Sequence, residues 1–415
     1  MNPQSSAQFL GGSDEIGSLG LLLNHGDQKL LLEYGITPSK PPTYPHPSPP
    51  VDFALLTHSH LDHSGMMPWL AATHNIPIYA TPLTKEVCLL LHKDTVKIAK
   101  MEGYASPYTN EEVDNSANNY KDIQMNMPYQ LSDQLELYTH NAGHVPGSLM
   151  YELKAEQNIV FTGDFNVIDS QLIQGARPVS CDTLFMESTY AGREHPKRDE
   201  LEKSFIDRIE DIIGCGGQVI VPAFAVARSQ ELIMVLRKSG FNIWYDGMGR
   251  KISRIYLSHQ NELKDPQALK KALNNIDYVY SQNGRKTASE KAEVIISSSG
   301  MLDGGPVLSY INKIKHDNKS AILLTGYQIE GTNSRLLVEH KKINMYGVNE
   351  DIHCQVDYFD FSGHAGHQEL IDFARRCSPN TIVLFHGDQR ETLLEPIKEV
   401  TDDVRVPTDN EPIYL

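Results

Sequence analysis

Apolar residues arrive along this chain in short runs punctuated by Gly, Pro, Asn and Asp, and the runs change in kind as they go. In SLGLLLNHGDQKLLLEYG, residues 18–35, two leucine-rich runs flank His25-Gly26-Asp27-Gln28, which predicts a β-hairpin. A Pro-rich segment, PSKPPTYPHPSPP, follows as a surface loop. Next come a strand over FALLTH, a helix after Ser64, a strand over IPIYAT, a helix over 83–101, and strands near 133–139, 149–154 and 158–163. Strands alternating with helices predict an α/β fold. Residues 103–130, rich in Asn, Tyr and Met, carry no readable pattern.

A second alternating region begins after ESTYAGREHPKRDE. It reads as helix 200–213, strand GQVIVPAF, helix ARSQELIMVLRKSG, strand FNIWYDG, a helix from GRKISRIYLS, and strands AEVIISSSG and SAILLTG. That spacing suggests a parallel sheet with its own core. After about residue 352 the pattern changes again, to HCQVDYFDFSGHAG, a short helix, NTIVLFHGD and a last helix.

Composition adds bounds. A chain of 415 residues exceeds what one hydrophobic core serves, so two domains or one domain with a large insertion is expected. No apolar run reaches the length of a membrane span, and the N-terminus shows no basic segment followed by an apolar one, so neither a membrane anchor nor a signal peptide is expected. Five scattered cysteines without a CxxC pair fit a reducing compartment, and the cytosol is the expected location. With 37 Lys and Arg against 53 Asp and Glu, the formal net charge is −16, which argues against broad, sequence-blind nucleic-acid binding but not against a local basic channel.

The chemistry concentrates in LLTHSHLDHSG. His58, His60, Asp62 and His63 put four metal-type ligands into six residues, a density that packing does not call for and a metal would compensate. On an extended segment His58, His60 and Asp62 face one way while His63 turns toward a second site, so one loop could serve two ions. Three more apolar strands end in polar loops carrying a ligand type: YTHNAGHVPGS with His140 and His144, NIVFTGDFN with Asp164, and IVLFHGD with His386.

HxHxDH, AGHVPGS, FTGDF and LFHGD, in this order, resemble the metallo-β-lactamase superfamily of dinuclear zinc hydrolases. The resemblance implies one zinc held by His58, His60 and His144, a second by Asp62, His63 and His386, and Asp164 bridging both, hence two Zn2+ per chain. One departure is Glu33 in LLLEYG, where the family usually has Asp supporting the ligands. LFMESTY, FSGHAG and LFHGD resemble motifs A, B and C of the β-CASP nucleases. VPAFAVARSQELI, SSSGMLDGGP and GYQIEGTNSR are similar to that subfamily's insert, in the cleavage and polyadenylation specificity factor branch. The implied architecture is a metallo-β-lactamase αββα sandwich over 1–190 and 352–415 with an inserted β-CASP α/β domain over 191–351. Within the family a His at motif C, here His386, goes with RNA.

Elementary chemistry agrees. Two zinc ions can generate a hydroxide near neutral pH and stabilise both oxygens of an in-line displacement at phosphorus. In the expected mechanism Asp164 orients the nucleophile, and His364, held by Glu187, protonates the departing 3′ oxygen. Single-stranded RNA would lie in a cleft between the two domains, with Arg228, Arg250, Lys251, Arg254 and Arg335 as basic contacts. Ser297, Ser298, Ser299, Ser362 and Ala365 lie in loops that resemble the 5′-phosphate grip of the RNase J branch, and the glycines there serve equally as turn formers. With 29 residues after His386 and nothing ahead of the hairpin resembling an appended RNA-binding module, modest and salt-dependent RNA affinity is expected, or help from a protein partner or homodimer. Two competing readings are a small-molecule hydrolase of the same fold, such as a thioesterase or lactonase, and a non-catalytic RNA-processing scaffold. Metal content separates the scaffold from an enzyme.

Overall fold

The computed structural model describes residues 5–415 other than Tyr327, Glu330 and Tyr346. The first four residues of the segment read as lacking a leader, and two positions of GYQIEGTNSR, therefore lie outside the described residues. The chain forms two compact units, one of residues 1–169, 173–194 and 363–415, the other of residues 170–172 and 195–362.

The first unit is built on two seven-stranded sheets. One runs Pro412–Tyr414, Ser6–Gly11, Gly20–His25, Gln28–Leu32, Phe53–Leu55, Ile78–Ala80, Tyr120–Asp122, and the other runs Asp403–Arg405, Thr381–Phe385, Thr183–Glu187, Asn158–Phe161, Leu149–Lys154, Glu136–Asn141, Pro128–Gln130. Strand alternation explains the layering. Leu21, Leu23, Leu30, Leu32 and Leu55 of the first sheet share one buried cluster with Leu137, Tyr151, Ile159, Phe161, Phe185 and Phe385 of the second. The intervening Leu22, Leu31 and Ala54 instead pack with Met67, Leu70 and Cys88 of the helices Met67–His74 and Pro82–Glu102. On the far side of the second sheet, Val160, Leu184, Met186, Ile382 and Leu384 pack against Leu370, Phe373 and Ala374 of the helix His367–Cys377. Helices thus cover both outer faces, the αββα arrangement. The hairpin closes with Gly26-Asp27 between Gly20–His25 and Gln28–Leu32, in the register Leu22↔Leu31.

The second unit holds a six-stranded sheet in the order Asp277–Tyr278, Ile243–Asp246, Val294–Ser297, Val219–Pro222, Ala321–Leu324, Gln355–Tyr358, every pair parallel. Helices such as Arg228–Val235, Gly249–Ser258 and Val307–Ile314 alternate with these strands, as the periodicity suggests. One element falls on the other side of the expected boundary at 352. Gln355–Tyr358 pairs with Ala321–Leu324, so the second unit continues to Ser362. It is a half-buried edge strand with Val356 as the one aliphatic in QVDY, which leaves little pattern to read. The segment 103–130 contains the capped helix Asn110–Ser116 and two three-residue edge strands.

Candidate metal centre

In the second sheet the strands Glu136–Asn141, Asn158–Phe161, Thr183–Glu187 and Thr381–Phe385 run in the same direction, because the first is antiparallel to Leu149–Lys154 and so is its other neighbour, and the rest pair in parallel. The loops that follow them carry His144, Asp164 and His386, and Glu187 is the last residue of its strand. The shared core between the sheets brings the loop after Phe53–Leu55 to the same rim, so segments more than 300 residues apart converge.

That loop departs from the extended expectation. The strand stops at Leu55, and Leu61–Ser64 winds into a helical turn. His58 and His60 stay together, but Asp62 does not face with them; it groups with His63 and His386. Long-range backbone bonds impose the turn: Leu19 N–H donates to Asp62 O (3.0 Å), Tyr34 N–H to His63 O (2.7 Å) and Ile36 N–H to Leu61 O (2.8 Å).

Two groups of donor atoms result. In the first, His58 Nε2 and His144 Nε2 each lie 3.1 Å from His60 Nδ1, and Asp164 Oδ2 is 3.6 Å from His58 Nε2 and 3.5 Å from His144 Nε2. A tetrahedron with metal–ligand bonds of about 2.1 Å has an edge of about 3.4 Å, so these spacings suit a zinc-sized ion. In the second, Asp62 Oδ2 is 3.8 Å from His63 Nε2 and 3.7 Å from His386 Nε2. Asp164 Oδ2 also sits 3.2 Å from His63 Nε2, so one carboxylate oxygen faces both groups. His63 Nε2, His386 Nε2 and Asp164 Oδ1 are buried without a hydrogen-bond partner. Orphaned polar atoms of this kind cost about 1–3 kcal/mol each, and a cation at this position would satisfy them. The donor set therefore fits a metal.

Electrostatics separates the two groups. Burial holds His58 and His144 well below the usual imidazole value and brings His60 to about 4, so their lone pairs are free of protons. Burial also pushes His63 and His386 down, but the Asp164 carboxylate outweighs it, raising His63 well above its usual value and His386 to about 9 in the metal-free chain. Asp164 itself stays well below the carboxylate range; burial opposes this, and His63 and His386 prevail.

Supporting contacts orient each ring, and sequence reasoning missed most of them. His144 Nδ1 donates to Gly363 O at 2.7 Å and Thr57 Oγ1 meets His58 Nδ1 at 3.0 Å, leaving those two Nε2 atoms to face the cluster, while His386 Nδ1 lies 3.3 Å from both Thr189 Oγ1 and Asp164 Oδ1. Glu33 is fully buried. Its Oε1 accepts from Thr57 N–H at 2.8 Å and its Oε2 lies 3.3 Å from His63 Nδ1, so the longer side chain reaches both the loop backbone and a ring. Glu33 (φ 62°) and His386 (φ 54°) both occupy the left-handed region that non-glycine residues avoid. A backbone carbonyl such as Gly363 O has no residue type to betray it; Thr57, preceding His58, was the detectable signal.

Glu187 and His364 form a third group with Asp164. The buried Glu187 carboxylate accepts from Phe165 N–H (3.1 Å), Thr189 N–H (3.0 Å) and His364 Nδ1 (2.9 Å). His364 Nε2 is 4.0 Å from Asp164 Oδ2, the His364 side chain is 18% exposed, and the Tyr190 ring stacks on it at 5.8 Å. Burial lowers His364, yet Glu187 and then Asp164 hold it above its usual value. The hydrogen bond leaves Nε2 as the atom able to exchange a proton with a substrate.

The expected substrate contacts are more dispersed. Ser297, Ser298 and Ser299 follow a strand of the second unit, Ser297 fully buried and Ser299 with its Oγ buried and unpaired. Ser362 ends that unit. Ala365 belongs to the first unit, and its N–H donates to Phe165 O at 2.8 Å, so the backbone donor expected for a phosphate is engaged internally. Arg228 bonds Thr325 O, Arg335 pairs with Glu339 at 2.6 Å on an exposed helix face, and Arg250, Lys251 and Arg254 share the helix Gly249–Ser258. All five cysteines are free, and no described helix is long and apolar enough to cross a membrane.

Comparison with known proteins places this geometry. The metallo-beta-lactamase superfamily matches residues 15–222, the Beta-Casp domain residues 229–337, and the Zn-dependent metallo-hydrolase RNA specificity domain residues 349–407. RNase aCSPSF2 of Saccharolobus solfataricus is 33% identical over 423 residues, covering 98% of this chain and 85% of that protein. The chain belongs to the β-CASP ribonucleases of the metallo-β-lactamase superfamily. Among other β-CASP relatives, Probable RNase MJ4 of Methanocaldococcus jannaschii is 33% identical over 92% of both chains, and the transcription termination factor FttA of Thermococcus kodakarensis is 33% identical over 92% of this chain and 67% of that protein. A crystal structure of a protein of unknown function from Enterococcus faecalis V583, at 15% identity, superposes with a TM-score of 0.63 over 100% of both chains, a likeness of fold alone. Membership makes the chain a metal-dependent RNA nuclease.

Proposed function

We propose that this β-CASP enzyme hydrolyses phosphodiesters of single-stranded RNA with two zinc ions, leaving a 5′-phosphate and a 3′-hydroxyl. The observation that carries the reading is the Asp164 carboxylate, whose Oδ2 stands within 3.6 Å of His58, His63 and His144 while His364 Nε2 waits 4.0 Å away. The residues that would hold the ions are His58, His60 and His144 on one side and Asp62, His63 and His386 on the other, with Asp164 shared. Bound there, the ions would supply a nucleophile at neutral pH and neutralise charge on the phosphoryl oxygens.

The remaining steps belong to the chain's own groups. The oxygen of water bonds to phosphorus and its released proton passes to solvent, the bond from phosphorus to the 3′ oxygen breaks, and His364 Nε2 gives its proton to the departing oxygen, to be reprotonated from solvent. Glu187 fixes the ring through Nδ1 and stabilises the protonated form, and Asp164 orients the nucleophile. Ser297, Ser298, Ser299 and Ser362, with Arg228 and Arg335, are the proposed contacts to the RNA backbone.

Circular and 5′-labelled linear single-stranded RNAs, incubated with zinc, test the reading. Cleavage of circles identifies an endonuclease, and mononucleotides released from linear 5′-phosphorylated RNA alone identify a 5′-to-3′ exonuclease. Zinc-loaded protein that leaves both substrates intact would refute it, and a preparation that holds no metal would point to the scaffold reading instead.

A further inference from the structure

The second unit carries an aromatic and basic patch whose tyrosines none of the chemistry above uses. Tyr278 ends the edge strand Asp277–Tyr278, and Tyr280 follows two residues on. Residues i and i+2 of an extended segment face one side, and the two rings lie 6.2 Å apart at an interplanar angle of 26°. Tyr280 is 68% exposed, an unusual setting for a large flat ring on a sheet edge. The Arg250 guanidinium sits 4.7 Å from the Tyr280 ring centroid, a cation–π contact that holds the ring in one orientation. Arg250 Nε is itself tied to Gly247 O at 3.1 Å.

Charge at this place runs against the acidic total. Lys251 and Arg254, on the same helix as Arg250, are exposed. The buried carboxylate of Asp246 beneath them is answered by Arg285 at 2.7 Å and Tyr310 at 2.9 Å, with Arg250 at 3.9 Å, so it does not cancel Lys251 and Arg254. Asp277, next to Tyr278 in sequence, is exposed. Flat, pre-oriented π faces bordered by cations match the two repeating parts of a single strand of nucleic acid, its bases and its phosphates.

We propose that Tyr278 and Tyr280 form a stacking platform for bases of single-stranded RNA, with Lys251 and Arg254 contacting the adjoining phosphates. This deepens the proposed function, resting on RNA as the ligand, and assigns an RNA-holding surface to the insert. A base stacked on the exposed Tyr280 needs no sequence-specific hydrogen bond, so the platform grips RNA regardless of sequence.

The test uses the metal-loaded full chain and a fluorescent single-stranded oligouridylate of about 20 nucleotides with slowly hydrolysed phosphorothioate linkages, long enough to span such a site. Anisotropy titration should give a Kd raised roughly 5- to 150-fold in Tyr280→Ala, the usual worth of one stacked base. Tyr280→Trp should restore tight binding, because a larger ring stacks as well. Arg254→Ala should lower the slope of log affinity against log salt by about 0.7, the share of one phosphate contact on a single strand. An unchanged Kd in Tyr280→Ala would overturn the proposal, including the case in which that variant loses a protein partner instead. So would a Tyr280→Trp chain as weak as Tyr280→Ala, since the ring would then be structural. Binding that depends on Tyr280 in a chain that cleaves neither linear nor circular RNA would sink the nuclease reading and leave the platform standing; cleavage by a chain indifferent to Tyr280 would do the reverse.

Discussion

Replacing Gly35 with alanine should dismantle half of the metal centre without touching a ligand. A Cβ at Gly35 would stand 1.6 Å from Asp62 O, 2.0 Å from Asp62 C and 2.6 Å from His63 N, all of them backbone atoms with no side chain to swing aside. Real Cβ contacts essentially never fall below 3.0 Å, so the two segments must part by 3.0 − 1.6, or 1.4 Å. Metal–ligand distances tolerate about 0.2 Å, a seventh of that displacement. The same movement strains the bonds from Leu19, Tyr34 and Ile36 that brace the turn. Overpacking alone costs about 1–3 kcal/mol, and the lost bracing adds to it. Metal per chain, measured by elemental analysis after dialysis against a weak chelator, should fall, and the metal-free variant should melt below wild type. Gly214→Ala is the control, since nothing lies within 4 Å of its Cβ. Full metal content in Gly35→Ala with an unchanged melting midpoint would refute the reasoning.

His364→Ala should keep the metal but slow RNA hydrolysis by about 10²- to 10⁴-fold, the usual worth of a general acid; turnover at the wild-type rate removes His364 from the mechanism. Asp62→Ala and His63→Ala should each lower metal content, and full occupancy in both would contradict the proposed ligands. Glu33→Ala leaves the Thr57 N–H buried without its acceptor and should weaken metal binding by about 10- to 100-fold in a chelator competition, with no change expected if Glu33 is a mere spacer. In the metal-free chain His63 and His386 have raised values, so both hold protons at pH 7 and lose them only as pH rises through those values. Zinc titrated in buffers of different ionisation enthalpy should therefore release about two protons per chain at pH 7 and fewer near pH 9.5, and heats that ignore the buffer would contradict this.

Local pattern carried much of the fold. The hairpin is visible because leucine runs and a Gly-Asp turn are neighbours in sequence, and the helix Gly249–Ser258 because its apolar spacing is complete within three turns. Ser6–Gly11 pairing with Pro412–Tyr414 had no such signal, since the two strands lie some 400 residues apart in the chain. The same divide runs through the candidate site. HxHxDH announced a metal, yet the extended spacing assigned Asp62 to the company of His58 and His60, because nothing within the hexad reveals that Leu19, Tyr34 and Ile36 will seize its backbone.

What the sequence by itself determined is the inventory: strands that bury both faces, a dense set of imidazole and carboxylate groups at their ends, and the motifs of a nuclease family. What only the tertiary structure decided is how those groups are braced and how close they come. Asp164 Oδ2 comes within 3.2 Å of His63 and 3.5 Å of His144, Gly363 O turns His144, and Thr189 braces His386 across 197 residues. Residue types and their spacing are local properties of a chain, whereas a coordination geometry is a set of distances between segments that meet only after two sheets have closed on one core.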